Sequence, residues 1–328
     1  MTGAPASPVP GGGTAVRPAW PAIAAFVLLA CGMAWLVALP LWLSPDGLAS
    51  ALTPVLLSAM MLTPTLAMLI VVFAFRVPRS GRLRFLGMWP LRPAGRFVGL
   101  MLAGLFGPMI VVAGVIAVAA AFGLVQLDLV SFSGFAEQLA AAVPAGTPMP
   151  AVGALVALQL LALPFGALIN SFLAAGEELG WRGWLLPALL PLGTWPALLV
   201  SGAVWGLWHA PVILLGYNFA RPDLGGLALM VGGCIAWGVL LGWLRLRSAS
   251  VWPAVIAHGS LNAVAGLILI LVAAGESIDM AIVGPLGVVA WLVIAAVTAL
   301  LALAGQFRPA RLHAPAQVAP RHPSSRRS

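Results

Sequence analysis

Eight apolar runs, separated by charges or by proline and glycine clusters, constrain this chain more than any other feature. They fall near residues 20–43, 52–75, 97–124, 151–176, 195–216, 224–243, 251–273 and 281–304. Most reach the roughly 20 residues that a helix needs to cross the hydrocarbon core of a bilayer. In hydrocarbon every backbone N–H and C=O must find a partner within the protein, and a helix supplies those partners internally. Composition agrees: 62% of the 328 residues are hydrophobic and 7% are charged, against about 25% charged in soluble domains. The fold class expected is all-α, a polytopic membrane helical bundle with about eight transmembrane helices.

One transmembrane domain is expected over 20–305, between a flexible tail at 1–19 and a basic tail at 306–328. Residues 1–19 are rich in Pro, Gly and Ala, with Arg17 their only charge, and offer too little apolar surface to order themselves. The run Trp20 to Leu43 exceeds the short core of a cleavable signal peptide and reads as a retained anchor. The longest outer connection, 125–150, mixes Leu127, Val130, Phe132 and Phe135 with acids. A short interfacial helix and an ordinary loop both fit it.

Charge orients the spans. The net charge of +8 comes from arginine alone, since the chain has no lysine. With the N-terminus in the cytoplasm, Arg17, Arg76, Arg79, Arg82, Arg84, Arg92, Arg96, Arg245, Arg247, Arg308, Arg311, Arg321, Arg326 and Arg327 all fall inside. Only Arg221 falls outside, and basic residues near span ends mark the cytoplasmic side. Asp46, Asp128, Glu137, Asp223, Glu276 and Asp279 take the outer side. This predicts a multi-pass protein of the cell membrane with both termini cytoplasmic. It also accounts for the basic balance without a nucleic-acid partner; the bilayer itself is the partner expected. Cys31 and Cys234 lie far apart in apolar runs and indicate no disulfide framework.

The two remaining acids are adjacent, Glu177 and Glu178, at the end of the fourth run. Two of the four histidines, His209 and His258, lie inside the fifth and seventh. Ionisable residues at membrane depth are costly, face the bundle interior and mark sites. Glu178 and Arg182 are four apart and can pair on one helical face, leaving Glu177 turned elsewhere. Trp205 with His209, and His258 with Asn262, repeat that spacing. A carboxylate can take a proton from water, imidazole can assist or bind a metal, and an amide can donate to an oxyanion. Ser260, two residues from His258, points to a different face, so water is the better nucleophile. Taken singly, each residue also has a plain packing role: an ion pair at a helix end, satisfied histidines, Asn262 as interhelical glue, tryptophans as packing.

The three motifs together resemble the CAAX protease and bacteriocin-processing (CPBP or Abi) family, also described as type II CAAX prenyl endopeptidases. Glu177-Glu178-Leu-Gly-Trp-Arg182-Gly183 is similar to Glu-Glu-x-x-x-Arg-Gly, Trp205-Gly-Leu-Trp-His209 to Phe-x-x-x-His, and His258-Gly-Ser-Leu-Asn262 to His-x-x-x-Asn. The resemblance covers about residues 150–270. It implies an intramembrane endopeptidase in which Glu177 activates water beside His209. His258 and Asn262 would bind metal or stabilise the oxyanion, and Glu178 and Arg182 would be structural or substrate-orienting. Trp205 departs from the family's Phe and keeps an aromatic wall of different size. The implied substrate is a membrane-embedded or lipidated peptide, prenylated at its C-terminus or bacteriocin-like.

The resemblance further implies a divalent metal, zinc first among candidates, with Glu177, His209 and His258 as ligands. Yet His-Glu-x-x-His is absent, and a water activated by glutamate and histidine alone is a direct rival. A proton- or ion-coupled transporter and a catalytically idle scaffold or immunity protein are the alternatives from other classes. Depth poses a constraint: from a start at Trp195, His209 lies about 20 Å from the inner face, whereas Glu177 lies almost at it. The expectation is that the fourth helix continues to about Leu186 and that the fifth starts nearer Leu199.

Overall fold

A computed structural model describes residues 17–91, 93–144 and 150–313. Most of both expected tails lies outside the described residues, as do Arg92, Arg321, Arg326 and Arg327. Seven helices are long and apolar enough to cross a membrane: α1 (Trp20–Leu43), α2 (Thr53–Phe75), α3 (Ala94–Ala121), α4 (Val152–Leu192), α6 (Leu224–Ser248), α7 (Trp252–Leu271) and α8 (Met280–Leu303). Between α4 and α6 runs α5 (Thr194–Trp208). The chain is a multi-pass helical membrane bundle, and large apolar side chains such as Leu28, Phe172 and Leu303 cover its outside.

The expected fifth span is the one that falls short. At 15 residues, α5 covers about 22 Å of a hydrocarbon core about 30 Å thick. Its end is dictated by Pro211, which has no N–H for the carbonyl of Leu207; a separate short helix, Ala210–Ile213, follows. The fourth span is the longer one. Its apolar run ends at 176, and the helix continues past the expected Leu186 to Leu192, with a π-helical turn over Leu179–Leu185. The extension past Leu186 meets the depth constraint. The later start for α5 near Leu199 does not occur, because Gly193 and Pro196 let the helix begin at Thr194. The connection at 125–150, expected on the outer side, contains a helix, Ser133–Ala142.

Arg245 also departs from expectation. Counted among the arginines that mark a membrane face, it is fully buried near the end of α6. Its Nε donates to the Arg182 carbonyl at 3.1 Å and its Nη2 to the Phe85 carbonyl at 2.8 Å. It clamps the 82–85 segment to the π turn.

Close helix approach positions the site. α7 packs between α3 and α4, and α6 packs against α5 and α8. Gly259 lets α7 meet α4: a Cβ there would stand 2.3 Å from the Ser171 hydroxyl and 2.5 Å from the Ala167 carbonyl. Gly206 does the same for α5 on α6, with Val231 Cα at 2.5 Å from a built Cβ. Small residues at crossings are how apolar helices gain packing contact where burial from water drives nothing.

Candidate active site

All four residues expected to carry chemistry line one cavity of about 330 Å³. Glu177 comes from α4, His209 from the end of α5, and His258 and Asn262 from α7. Trp205, Tyr217 and Asn218 add to its polar wall, and Leu57, Met60, Met61, Met230 and Leu261 make its apolar part. Glu178 and Arg182 stand behind the wall, 0% and 1% exposed.

The two glutamates have separate sets of partners. Glu178 Oε1 accepts from Arg182 Nη1 at 2.7 Å and from His258 Nδ1 at 2.9 Å. The expected i, i+4 pair is therefore present, and the same carboxylate orients a histidine 80 residues away. Glu177 Oε2 accepts from the indole N–H of Trp205 at 2.7 Å and, more weakly, from that of Trp181 at 3.4 Å. Its other oxygen, Oε1, has no hydrogen-bond partner among the described residues, and the residue lines the cavity.

His209 is oriented by the helix end itself. Because α5 terminates, the His209 backbone N–H bonds to Gly206 rather than to Trp205. The freed Trp205 carbonyl then accepts from His209 Nδ1 at 2.9 Å. A carbonyl only accepts, so Nδ1 carries the proton and Nε2 keeps its lone pair. His258 donates its Nδ1–H to Glu178 in the same way, so both rings have one nitrogen fixed and Nε2 free.

Trp205, expected as a packing or substrate-orienting residue, contacts Glu177, Arg182, His209 and His258. Besides its bond to Glu177, its ring lies 4.3 Å from the Arg182 guanidinium carbon and meets the His258 ring at 5.2 Å. The phenylalanine of the related motif has no N–H to offer Glu177. Trp208 packs on His209 with ring centroids 4.6 Å apart and donates to the Thr63 hydroxyl at 3.0 Å. Thr63 in turn donates to the Met60 carbonyl at 2.9 Å, the acceptor that Pro64 leaves without a helical donor. Sequence reasoning passed over Trp181, although it stands four residues from Glu177, and Tyr217, the only tyrosine in the chain.

The metal expectation is tested by the donors. Among the described residues no three His, Cys, Asp or Glu side chains are grouped to hold a metal ion. As placed, Glu177, His209 and His258 share a cavity without forming a three-ligand cage.

Fold and cavity together define a polytopic membrane protein with a carboxylate, two oriented imidazoles and an amide facing one cavity. Residues 157–264, which carry Glu177, His209, His258 and Asn262, match the family model described as type II CAAX prenyl endopeptidase Rce1-like, in agreement with the family that the three motifs resemble. No curated protein matches the chain.

Proposed function

We propose that this protein is an intramembrane endopeptidase that hydrolyses a peptide bond of a membrane-associated substrate with a water activated by Glu177. The observation that carries the proposal is the free Oε1 of Glu177, held toward the cavity by bonds to Oε2 alone. A water in the cavity gives its proton to Oε1 as its oxygen attacks the scissile carbonyl carbon. His209, backed by a neutral carbonyl, accepts from that water through Nε2 and directs it. Asn262 Nδ2 donates to the developing oxyanion. His258 joins it when protonated, because Glu178 stands ready to balance an imidazolium. The tetrahedral intermediate then collapses, and the leaving amine takes the proton from Glu177.

The substrate class follows from the family's name and from the apolar half of the cavity: a lipidated or membrane-embedded peptide, with a prenylated C-terminus first. We place both termini in the cytoplasm of a cell membrane, on the arginine asymmetry, and treat 20–305 as one domain. A divalent ion, were it required, would take the Nε2 atoms of His209 and His258 and act as a Lewis acid. The ungrouped third donor favours the glutamate and histidine route.

The test is purified protein in proteoliposomes with a farnesylated peptide ending in a CAAX sequence, followed by mass spectrometry of the released tripeptide. Release by the wild type, its loss in Glu177→Gln, and its survival after verified removal of metal by a chelator are expected. Wild-type protein that cleaves neither this peptide nor its unprenylated counterpart would overturn the proposal. Activity lost on chelation and restored by zinc would replace the glutamate and histidine route with a metal one.

A further inference from the structure

At the end of the bundle where α3 begins and α6 and α8 finish, three arginines from three separate elements converge. Arg96 is in the first turn of α3, Arg247 in the last turn of α6, and Arg311 in a short turn of 3-10 helix beyond α8. The carboxyl-terminal strap draws them together. The His313 backbone N–H donates to the Leu246 carbonyl at 2.7 Å, and its ring Nε2 accepts from Arg96 Nη1. Arg247 Nη1 donates to the Arg311 carbonyl at 2.7 Å, and Arg311 Nη1 to the Ala304 carbonyl at 3.0 Å.

Every acceptor in this knot is neutral. Among the described residues the ion pairs join Arg182 and His258 to Glu178 and Arg221 to Asp279; none reaches these arginines. Each of the three guanidiniums therefore holds a fixed position through one Nη and, among the described residues, leaves the other Nη without a partner. Burial together with Arg96 and Arg247 pushes the His313 imidazole below its ordinary pKa, which keeps it an acceptor for Arg96.

An arginine excess on one membrane side needs no such convergence. Scattered arginines satisfy it and avoid mutual repulsion, which at the rim of an apolar bundle is weakly screened. Arg96 adds to the cost, because a cation in a first helical turn opposes the helix dipole. A concentration of like charge, pinned from three elements with spare N–H groups, is what an oxyanion site requires.

We propose that Arg96, Arg247 and Arg311 bind the phosphate of an anionic phospholipid headgroup. The shared chemistry is a phosphate oxyanion. A lipid is chosen as its source because the site lies at the ends of three helices that are apolar enough to span a bilayer, beside their exposed surfaces. Bound there, the headgroup would tie the carboxyl-terminal strap to α3 and α6.

The experiment reads binding and not peptide cleavage, so its outcome is independent of the enzymatic proposal. Full-length protein is released from nanodiscs of mixed phosphatidylcholine and phosphatidylglycerol, and retained lipid is counted by native mass spectrometry. The wild type should retain phosphatidylglycerol over phosphatidylcholine. R96Q/R247Q should lose that retention by about tenfold or more, since two charge-assisted contacts go. R79Q/R84Q, which removes two arginines of the 76–84 segment, should keep it. R311Q, at an exposed residue beyond α8, repeats the loss in a variant whose spanning helices keep every side chain. Unchanged retention in R96Q/R247Q and R311Q, or equal loss in R79Q/R84Q, would overturn the site. Thermal stabilisation by inorganic phosphate equal to that by phosphatidylglycerol would overturn the lipid assignment.

Discussion

Glu177 and Glu178 are neighbours on one helix, yet they serve two regions with different physics. Glu178 sits behind the cavity wall in a closed set of charges, with Arg182 at 2.7 Å and His258 at 2.9 Å. Glu177 faces the cavity and takes its bonds from neutral indoles. A guanidinium would hold a carboxylate as a permanent anion, whereas an indole N–H steadies it and leaves it free to gain a proton. Adjacent carboxylates thus become one structural group and one reactive group through the partners they meet.

The largest effect should come from the reactive side. Glu177→Gln should lower kcat by about 10²–10⁴-fold, the range for losing a general base, while its melting temperature stays near that of the wild type. An equal kcat loss in a well-folded Glu178→Gln variant would erase the distinction between the two carboxylates.

The structural side should fail in the opposite manner. Arg182→Ala leaves Glu178 buried without its cation and should cost about 3–5 kcal/mol of stability, read as reduced yield and earlier thermal unfolding in detergent. Normal yield with lost cleavage would move Arg182 to substrate binding. The i, i+4 spacing made this pair legible in the sequence, as it did the Trp205–His209 relation, because both lie within one helical turn. The bonds from Trp205 to Glu177 and from His258 to Glu178 span 28 and 80 residues. No local pattern encodes them; they exist only once α5 and α7 pack on α4.

The spans themselves were readable to within a few residues wherever hydropathy alone ends a helix, as at Trp20–Leu43. The fourth apolar run ends short of its helix because Glu177, Glu178 and Arg182 look in sequence like the charges that close a span; only the depth of His209 pointed to the longer helix. Packed, all three are buried, Glu178 paired with Arg182 and Glu177 bonded to two indoles, and the helix runs through them. Arg245 misled in the same direction: a guanidinium satisfied by two carbonyls has no need of the membrane surface.

Trp205→Phe sharpens the comparison at intermediate size. It keeps a smaller aromatic face beneath Arg182 and the backbone carbonyl that holds His209, and removes the N–H on Glu177. Loss of one hydrogen bond to a charged group, about 1.5 kcal/mol, should lower kcat by about tenfold with KM and melting temperature little changed. A raised KM with unchanged kcat would show that Trp205 acts on the substrate instead.

The smallest effect concerns a carboxylate outside the spans. Hydrogen bonds from Ser133, Ser131 and Val130 hold Asp128 down at about 2. A depressed carboxylate stabilises its loop above its unfolded value of about 3.9, and that contribution fades as pH falls through about 2. Hydrogen exchange at Ser131 and Ser133, corrected for intrinsic rates, should show constant protection from about pH 7 to pH 5 and a decline in strong acid. Asp128→Asn should reduce that protection throughout without altering cleavage. Protection that disappears already near pH 5 would mean these bonds do not hold the loop.

The π turn over Leu179–Leu185 makes the site more sensitive to chain length than to chemistry. Removing one residue, such as Gly180, would carry Trp181 and Arg182 round α4 by about 100°. Arg182 would then stand four positions from Glu177, and Gly183 four from Glu178. The guanidinium would pass to the reactive carboxylate and abandon the structural one, with no charged residue altered. In a lineage of such chains, a gap within residues 177–183 should be as rare as an exchange of Glu177 or Arg182 themselves.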